Sequence, residues 1–81
     1  MTDLISFINF EEIIQCIKKL KNVSEAEKAL ILKTCKEIAL NQFENYNDYC
    51  MKKGFILRYA YAHKENFPII IRIMHLLGAG L

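Results

Sequence analysis

Apolar side chains recur every three or four residues over two stretches of the N-terminal half, which is the spacing of amphipathic helices. The first stretch forms one face from Phe10, Ile13, Ile14, Ile17 and Leu20. Asn9 directly precedes this face, and Glu12 lies three positions after Asn9. The two residues therefore resemble an Asn-headed capping box. A first helix is therefore predicted to begin near Phe10 and to end near Asn22. Residues 2–8 are expected to form a separate short helix or an early extension of it.

A second helix is predicted from Glu25 to about Phe43, because this stretch is rich in helix formers and contains neither Gly nor Pro. Ser24 and Glu27 form a second capping box at its start. Its apolar positions make two adjoining stripes, which consist of Leu32, Cys35, Ala39, Phe43 and Tyr46 and of Ile31, Cys35 and Ile38. So broad a face predicts packing against two neighbours, with Leu32 in the core.

The segment from Asp48 to Asn66 permits two interpretations. Asn47 is suited to cap a third helix, and Gly54 would be either its stop or a point of close packing within it. The sequence FILRYAYAH instead alternates as a strand does. We favour a helix, because a hairpin of residues 55–62 with residues 69–77 would have no obvious third strand. The prediction is a compact all-α bundle of about four helices over residues 1–81, with an α+β fold carrying a C-terminal β-hairpin as the alternative.

The C-terminal stretch from Pro68 to Leu81 is almost wholly apolar and must be buried. Pro68 near its start and Gly78 near its end predict a short final helix. It falls far short of the ~20 residues that span a bilayer, so no membrane span is expected. Burial could come from the domain's own core, from self-association or from a partner protein. The predicted partner-binding residues are Ile70, Arg72, Ile73, His75 and Leu77.

Composition favours association over catalysis. Hydrophobic residues make up 53% of the 81 positions, above the roughly 45–50% of an ordinary domain, which suggests a homo-oligomer or a bound partner. The net charge of +2 implies no strong field for nucleic acid. Cys16, Cys35 and Cys50 lack CxxC spacing and are expected to be buried packing residues in a cytosolic protein. His63 and His75 lie too far apart for a local metal motif, so no catalytic group, metal or cofactor is predicted.

Basic and aromatic residues interleave between Tyr46 and Lys64. Tyrosines can stack on bases while cations neutralise phosphates, so this segment is where a nucleic acid or nucleotide would bind. The candidate residues are Lys52, Lys53, Arg58, Tyr59, Tyr61 and Lys64. Half-buried tyrosines beside a solvated lysine face are the more ordinary explanation of the same pattern.

The function expected from the sequence is that of a small, non-enzymatic cytosolic regulator or inhibitor that binds another protein. The richness in Ile, Lys and Asn is typical of AT-rich coding DNA, which includes that of many phages. Nucleic-acid or nucleotide binding through Tyr46 to Lys64 is the alternative.

Overall fold

Four α-helices account for most of residues 9–78, the part of the chain that the computed structural model describes. They are α1 (Phe10–Lys18), α2 (Glu25–Ala39), α3 (Tyr46–Ala62) and α4 (Phe67–Leu76), with one 3-10 turn at Lys64–Asn66. The predicted all-α bundle is confirmed. The alternative hairpin is not supported, because residues 55–62 and 69–76 are helical. The helix or extension expected over residues 2–8 lies outside the described residues.

The helices pack as a ring around one hydrophobic core. Each helix contacts the next one along the chain, and α4 returns to pack on α1. The side chains without any solvent exposure come from all four helices and the turn before α4, and they are Ile13, Ile31, Cys35, Ile56, Asn66, Ile70, Ile73 and Met74. Every helix therefore supplies at least one fully buried aliphatic residue to the same core.

Two of the predicted N-terminal caps are confirmed. The Asn9 Oδ1 accepts a hydrogen bond from the Glu12 N–H at 3.0 Å. The Ser24 Oγ accepts from the Glu27 N–H at 3.1 Å, and the Glu27 carboxylate accepts from the Ser24 N–H at 3.1 Å, which completes the capping box. Each cap satisfies an amide that the first helical turn leaves without a partner. These helix starts are therefore encoded locally.

The ends of α1 and α2 lie earlier than predicted. α1 ends at Lys18 rather than near Asn22, and α2 ends at Ala39 rather than near Phe43. Asn22 has a φ of 60° and Asn41 a φ of 55°, and Asn is one of the few residues that tolerates this left-handed conformation. Asn41 directly follows the C-cap Leu40, so its left-handed backbone ends α2. Asn22 lies three residues beyond Lys19, the C-cap of α1, so it shapes the loop that follows rather than ending that helix.

α3 begins with a cap different from the predicted one. Asn45 rather than Asn47 is the cap, because its Oδ1 accepts from the Asp48 N–H at 2.9 Å. Gly54 lies inside α3 and does not stop it. A Cβ atom added to Gly54 would meet nothing within 4 Å, so no packing role for this glycine is found within residues 9–78.

Burial on α2 and of the cysteines differs in part from the prediction. Ile31 is fully buried, whereas Leu32 is only half-buried, because α2 turns its Ile31 side toward the centre of the ring. Only Cys35 is buried, and its burial raises the pKa of the thiol to about 12. Cys16 is half-buried and Cys50 is exposed, so the expectation of three buried thiols was wrong for these two.

The loop between α1 and α2 is fastened to the turn before α4 by Asn66. This side chain is fully buried, and its Oδ1 accepts from the Lys21 N–H at 2.9 Å while its Nδ2 donates to the Lys21 carbonyl at 2.9 Å. Beside it, the exposed Asn22 Nδ2 donates to the Glu65 carboxylate at 2.8 Å. One buried amide thus makes hydrogen bonds to both backbone polar groups of a residue on another loop.

Replacing Asn66 by Ala should lower the free energy of unfolding by about 2–3 kcal/mol, because it removes both hydrogen bonds and leaves the Lys21 backbone unsatisfied. Asn22→Gly is the matched control, since it removes an exposed hydrogen bond and glycine tolerates the left-handed backbone. Its cost should stay below about 1 kcal/mol. Urea denaturation followed by circular dichroism measures both values, and equal losses would contradict the role of Asn66.

Ser24→Ala should lower the free energy of unfolding by about 1 kcal/mol, because the Glu27 amide loses its side-chain acceptor. Thr at the same position is the control, since its hydroxyl can still cap the helix. An unchanged denaturation midpoint in Ser24→Ala would show that the cap contributes nothing.

Candidate functional site

The apolar residues predicted to bind a partner lie in the core. Ile70 and Ile73 have no solvent exposure, and Leu77 has 8%. They face inward because α4 closes the ring between α3 and α1. The sequence allowed this segment to be buried in the core, in a self-association surface or against a partner protein. In the structure its apolar side lies in the core. These three side chains are therefore not accessible to a partner.

Arg72 and His75 lie on the outer side of α4 and are exposed. The Arg72 Nε donates to the Glu12 carboxylate at 2.7 Å, and this hydrogen bond lowers the pKa of Glu12. The pair links α4 to α1 at the surface, where ion pairs contribute little to stability. Only these two residues of the predicted partner site remain on the surface.

Most of the residues predicted to bind nucleic acid already contact other side chains of this protein. The Lys52 ammonium lies 3.5 Å from the Glu37 carboxylate and 3.6 Å from that of Asp48. The Lys53 ammonium lies 5.3 Å from the centroid of the Tyr49 ring. These contacts reduce the positive charge that the two lysines offer to a phosphate.

Tyr59 is unsuited to stack on a base, because only 8% of it is exposed. Its hydroxyl donates to the Glu27 carboxylate at 3.3 Å, and burial together with that carboxylate raises the pKa of Tyr59. The Arg58 guanidinium lies 5.8 Å from the centroid of the same ring. Tyr61, in contrast, is 70% exposed.

The cations of α3 point in different directions. Successive helical residues are rotated by about 100°, so Lys53 and Arg58 lie about 100° and 120° from Lys52 on opposite sides of the helix. Lys64 follows the helix and belongs to the 3-10 turn. The structure therefore does not gather the predicted set on one face, although a phosphate-binding surface would require that.

The two large aliphatic side chains with the greatest solvent exposure lie together between α2 and α3. We call this surface the α2–α3 groove. It has a volume of about 300 Å³ and is lined by Leu30, Thr34, Glu37, Asp48, Met51, Lys52 and Phe55. Leu30 is 51% exposed and Met51 is 66% exposed, while Phe55 is half-buried. Lys52, with its two carboxylate neighbours, forms the polar part of the groove.

Sequence reasoning missed this groove. Leu30 belongs to neither apolar stripe of α2. Its position outside both stripes was the one sequence feature that indicated an exposed leucine. Asp48 reaches Lys52 within α3 as an i,i+4 pair. Only the packing of α3 on α2 brings Glu37 to the same lysine.

A smaller groove of about 210 Å³ lies between α1 and α2. Ile17 is buried there and Leu32 is half-buried, so neither of these side chains is as exposed as Leu30 or Met51 of the α2–α3 groove. The Lys28 ammonium at its edge already donates to the Lys18 carbonyl at 3.3 Å and pairs with Glu25 at 3.4 Å. The α2–α3 groove is therefore the stronger candidate.

The described residues show no arrangement typical of a metal centre or of a membrane span. Between residues 9 and 78, no three His, Cys, Asp or Glu side chains are grouped as metal ligands would be. None of the helices in that range has both the length and the apolar character that crossing a bilayer requires. Every buried side-chain nitrogen or oxygen there has a hydrogen-bond partner.

Comparisons with protein-family models, curated proteins and solved structures found no match to this chain. The candidate site therefore rests on its geometry.

Ile73→Ala should lower the free energy of unfolding by about 2–5 kcal/mol, because it leaves a cavity in the core. Arg72→Ala, on the exposed side of the same helix, should cost less than about 1 kcal/mol. Urea denaturation tests the difference. An Ile73 variant with parental stability but a smaller mass in solution would instead identify an association surface.

Proposed function

We propose that this protein acts without catalysis, as a regulator or inhibitor that binds another protein through the α2–α3 groove. The observation that carries the proposal is the exposure of Leu30 and Met51, at 51% and 66%, beside the half-buried Phe55. Neighbouring large apolar side chains in water mark interaction sites. A partner side chain that entered the groove would remove them from water.

The charge in the groove indicates the chemistry of its partner. Glu37 and Asp48 place two carboxylates around the one ammonium of Lys52, so this part of the groove has a net negative charge. We propose that the partner supplies an amphipathic helix whose apolar residues recur every three or four positions, with a lysine or arginine beside them. Helices of this kind bind in grooves between helices, and complementary charge fixes their register.

Two observations support a protein partner over nucleic acid. Lys52 already pairs with carboxylates, and Tyr59 is buried against Glu27. A cytosolic setting is part of the proposal, because a free, exposed thiol at Cys50 suits a reducing compartment. Self-association is also part of it, since 53% of the residues are hydrophobic.

Leu30→Ser should weaken partner binding by about tenfold or more, as expected for an apolar side chain central to an interface. Leu40→Ser is the matched control, because Leu40 is 44% exposed and lies outside the groove. Parent and variants serve as bait in the source cell, and a protein retained by the parent is then purified and titrated against each form. Selective loss with Leu30→Ser supports the groove.

Equal binding by the two leucine variants would contradict the groove as the binding surface. A second contradictory result would be retention of single-stranded RNA by the parent, with a steep loss of affinity on adding salt. If Lys64→Glu also abolished that retention while Leu30→Ser did not, the nucleic-acid alternative would replace this proposal.

A further inference from the structure

The two helices that form the α2–α3 groove run antiparallel. The Tyr59 hydroxyl, near the end of α3, donates to the Glu27 carboxylate near the start of α2 at 3.3 Å. The Lys52 ammonium, earlier in α3, lies 3.5 Å from the Glu37 carboxylate, which is later in α2. An earlier lining residue of α2 therefore lies opposite a later lining residue of α3.

This arrangement gives the groove an apolar end and an acidic end. Leu30 and Phe55 line the apolar end. Glu37 and Asp48 line the acidic end, where both carboxylates lie near Lys52. Leu30 and Glu37 are seven residues apart on α2, which is about 10.5 Å along the helix axis. A ligand that lies along the groove therefore meets apolar side chains at one end and carboxylates two helical turns away.

The middle of the groove contributes no charged group. Thr34 of α2 and Met51 of α3 line it. The Thr34 Oγ1 donates to the Leu30 carbonyl at 2.9 Å, so its hydroxyl proton is already used within α2. The lining residues that carry charge thus lie at the acidic end, and this end is where the groove can distinguish one apolar helix from another.

The two carboxylates of the acidic end differ in what they already bind. The Asp48 Oδ2 accepts from the Glu44 N–H at 3.0 Å and lies 3.6 Å from the Lys52 ammonium. The Glu37 carboxylate contacts the same ammonium through Oε1, and no other partner for this carboxylate is found within residues 9–78. The two side chains are almost equally exposed, at 29% for Glu37 and 30% for Asp48. Glu37 therefore has the greater unused capacity for a second cation.

We infer that Glu37 selects the partner, by binding a lysine or arginine that lies seven positions along a helix from the apolar residue packed on Leu30. This inference rests on the proposed function, because it concerns the same groove, and it adds the register that the partner must have. A helix lying along α2 rises by the same ~1.5 Å per residue, so seven of its residues cover the distance from Leu30 to Glu37. Residues seven apart also share one helix face. The bound cation balances the carboxylate charge that Lys52 leaves uncompensated.

Designed helical peptides test the register. The reference peptide carries a leucine, a second leucine four positions later and a single lysine seven positions after the first leucine. Its other residues are alanine and glutamine, and both ends are blocked to remove their charges. The comparison peptide has the same composition, but its lysine is moved by two positions, which rotates it about 200° around the helix and away from the leucines. Fluorescence anisotropy measures both dissociation constants.

We expect the comparison peptide to bind about fivefold more weakly, the effect of losing a partly exposed ion pair. Equal binding of the two peptides, with both lost in Leu30→Ser, would overturn the register and leave the groove as the binding surface. Binding of neither peptide, or binding that Leu30→Ser leaves unchanged, would contradict the groove itself.

A charge exchange tests Glu37 as the contact. Glu37→Lys should weaken binding of the reference peptide more than Glu11→Lys does, since Glu11 is an exposed carboxylate on α1 and the net charge changes equally. A peptide with glutamate in place of the lysine should bind Glu37→Lys more tightly than it binds the parent. Circular dichroism confirms that each variant is folded, and Glu37→Gln is the milder variant if Glu37→Lys is not. Equal effects at Glu37 and Glu11, or a larger effect of Asp48→Asn than of Glu37→Gln, would overturn the inference.

Discussion

The bundle depends on one buried amide that fixes where α4 begins. Asn66 holds both backbone polar groups of Lys21, and it comes directly before Phe67, the first residue of α4. These bonds join the loop that follows α1 to the turn that precedes α4. Asn66 itself is fully buried and the two bonds are part-buried, so breaking them would leave the buried amide without its partners. The contact thereby holds the N-terminal end of α4 next to the loop after α1, and the apolar side of α4 packs into the core from there.

The position of α4 decides which surfaces remain for binding. Its Ile70 and Ile73 complete the core, and its Arg72 pairs with Glu12 of α1. The most apolar segment of the chain is therefore used internally. Exposed large apolar side chains remain along α3, at Leu30 of α2, and also at Leu40 and Phe67. Leu30 and Met51 lie together in the α2–α3 groove, which the proposed interaction uses.

The basic and aromatic residues of α3 also depend on this packing. Lys52 meets two carboxylates because α2 brings Glu37 next to Asp48. Tyr59 reaches Glu27 across the same interface. Charges that neutralise one another within a domain offer little to an external phosphate, since counterion release requires free cations. The apolar part of the α2–α3 groove is then the surface with the most to gain from a partner.

Local chemistry allowed the sequence to predict the all-α class, the caps at Asn9 and Ser24, and a final helix between Pro68 and Gly78. Each of these features depends on residues a few positions apart. The exposure of Leu30 and Cys50 and the burial of Ile31 rather than Leu32 depended on where other helices lie. The link from Asn66 to Lys21 joins residues 45 positions apart, and no local pattern encodes it. The sequence by itself therefore determined which segments are helical, and the tertiary structure decided which of their faces water still reaches, because burial depends on neighbours distant in the chain.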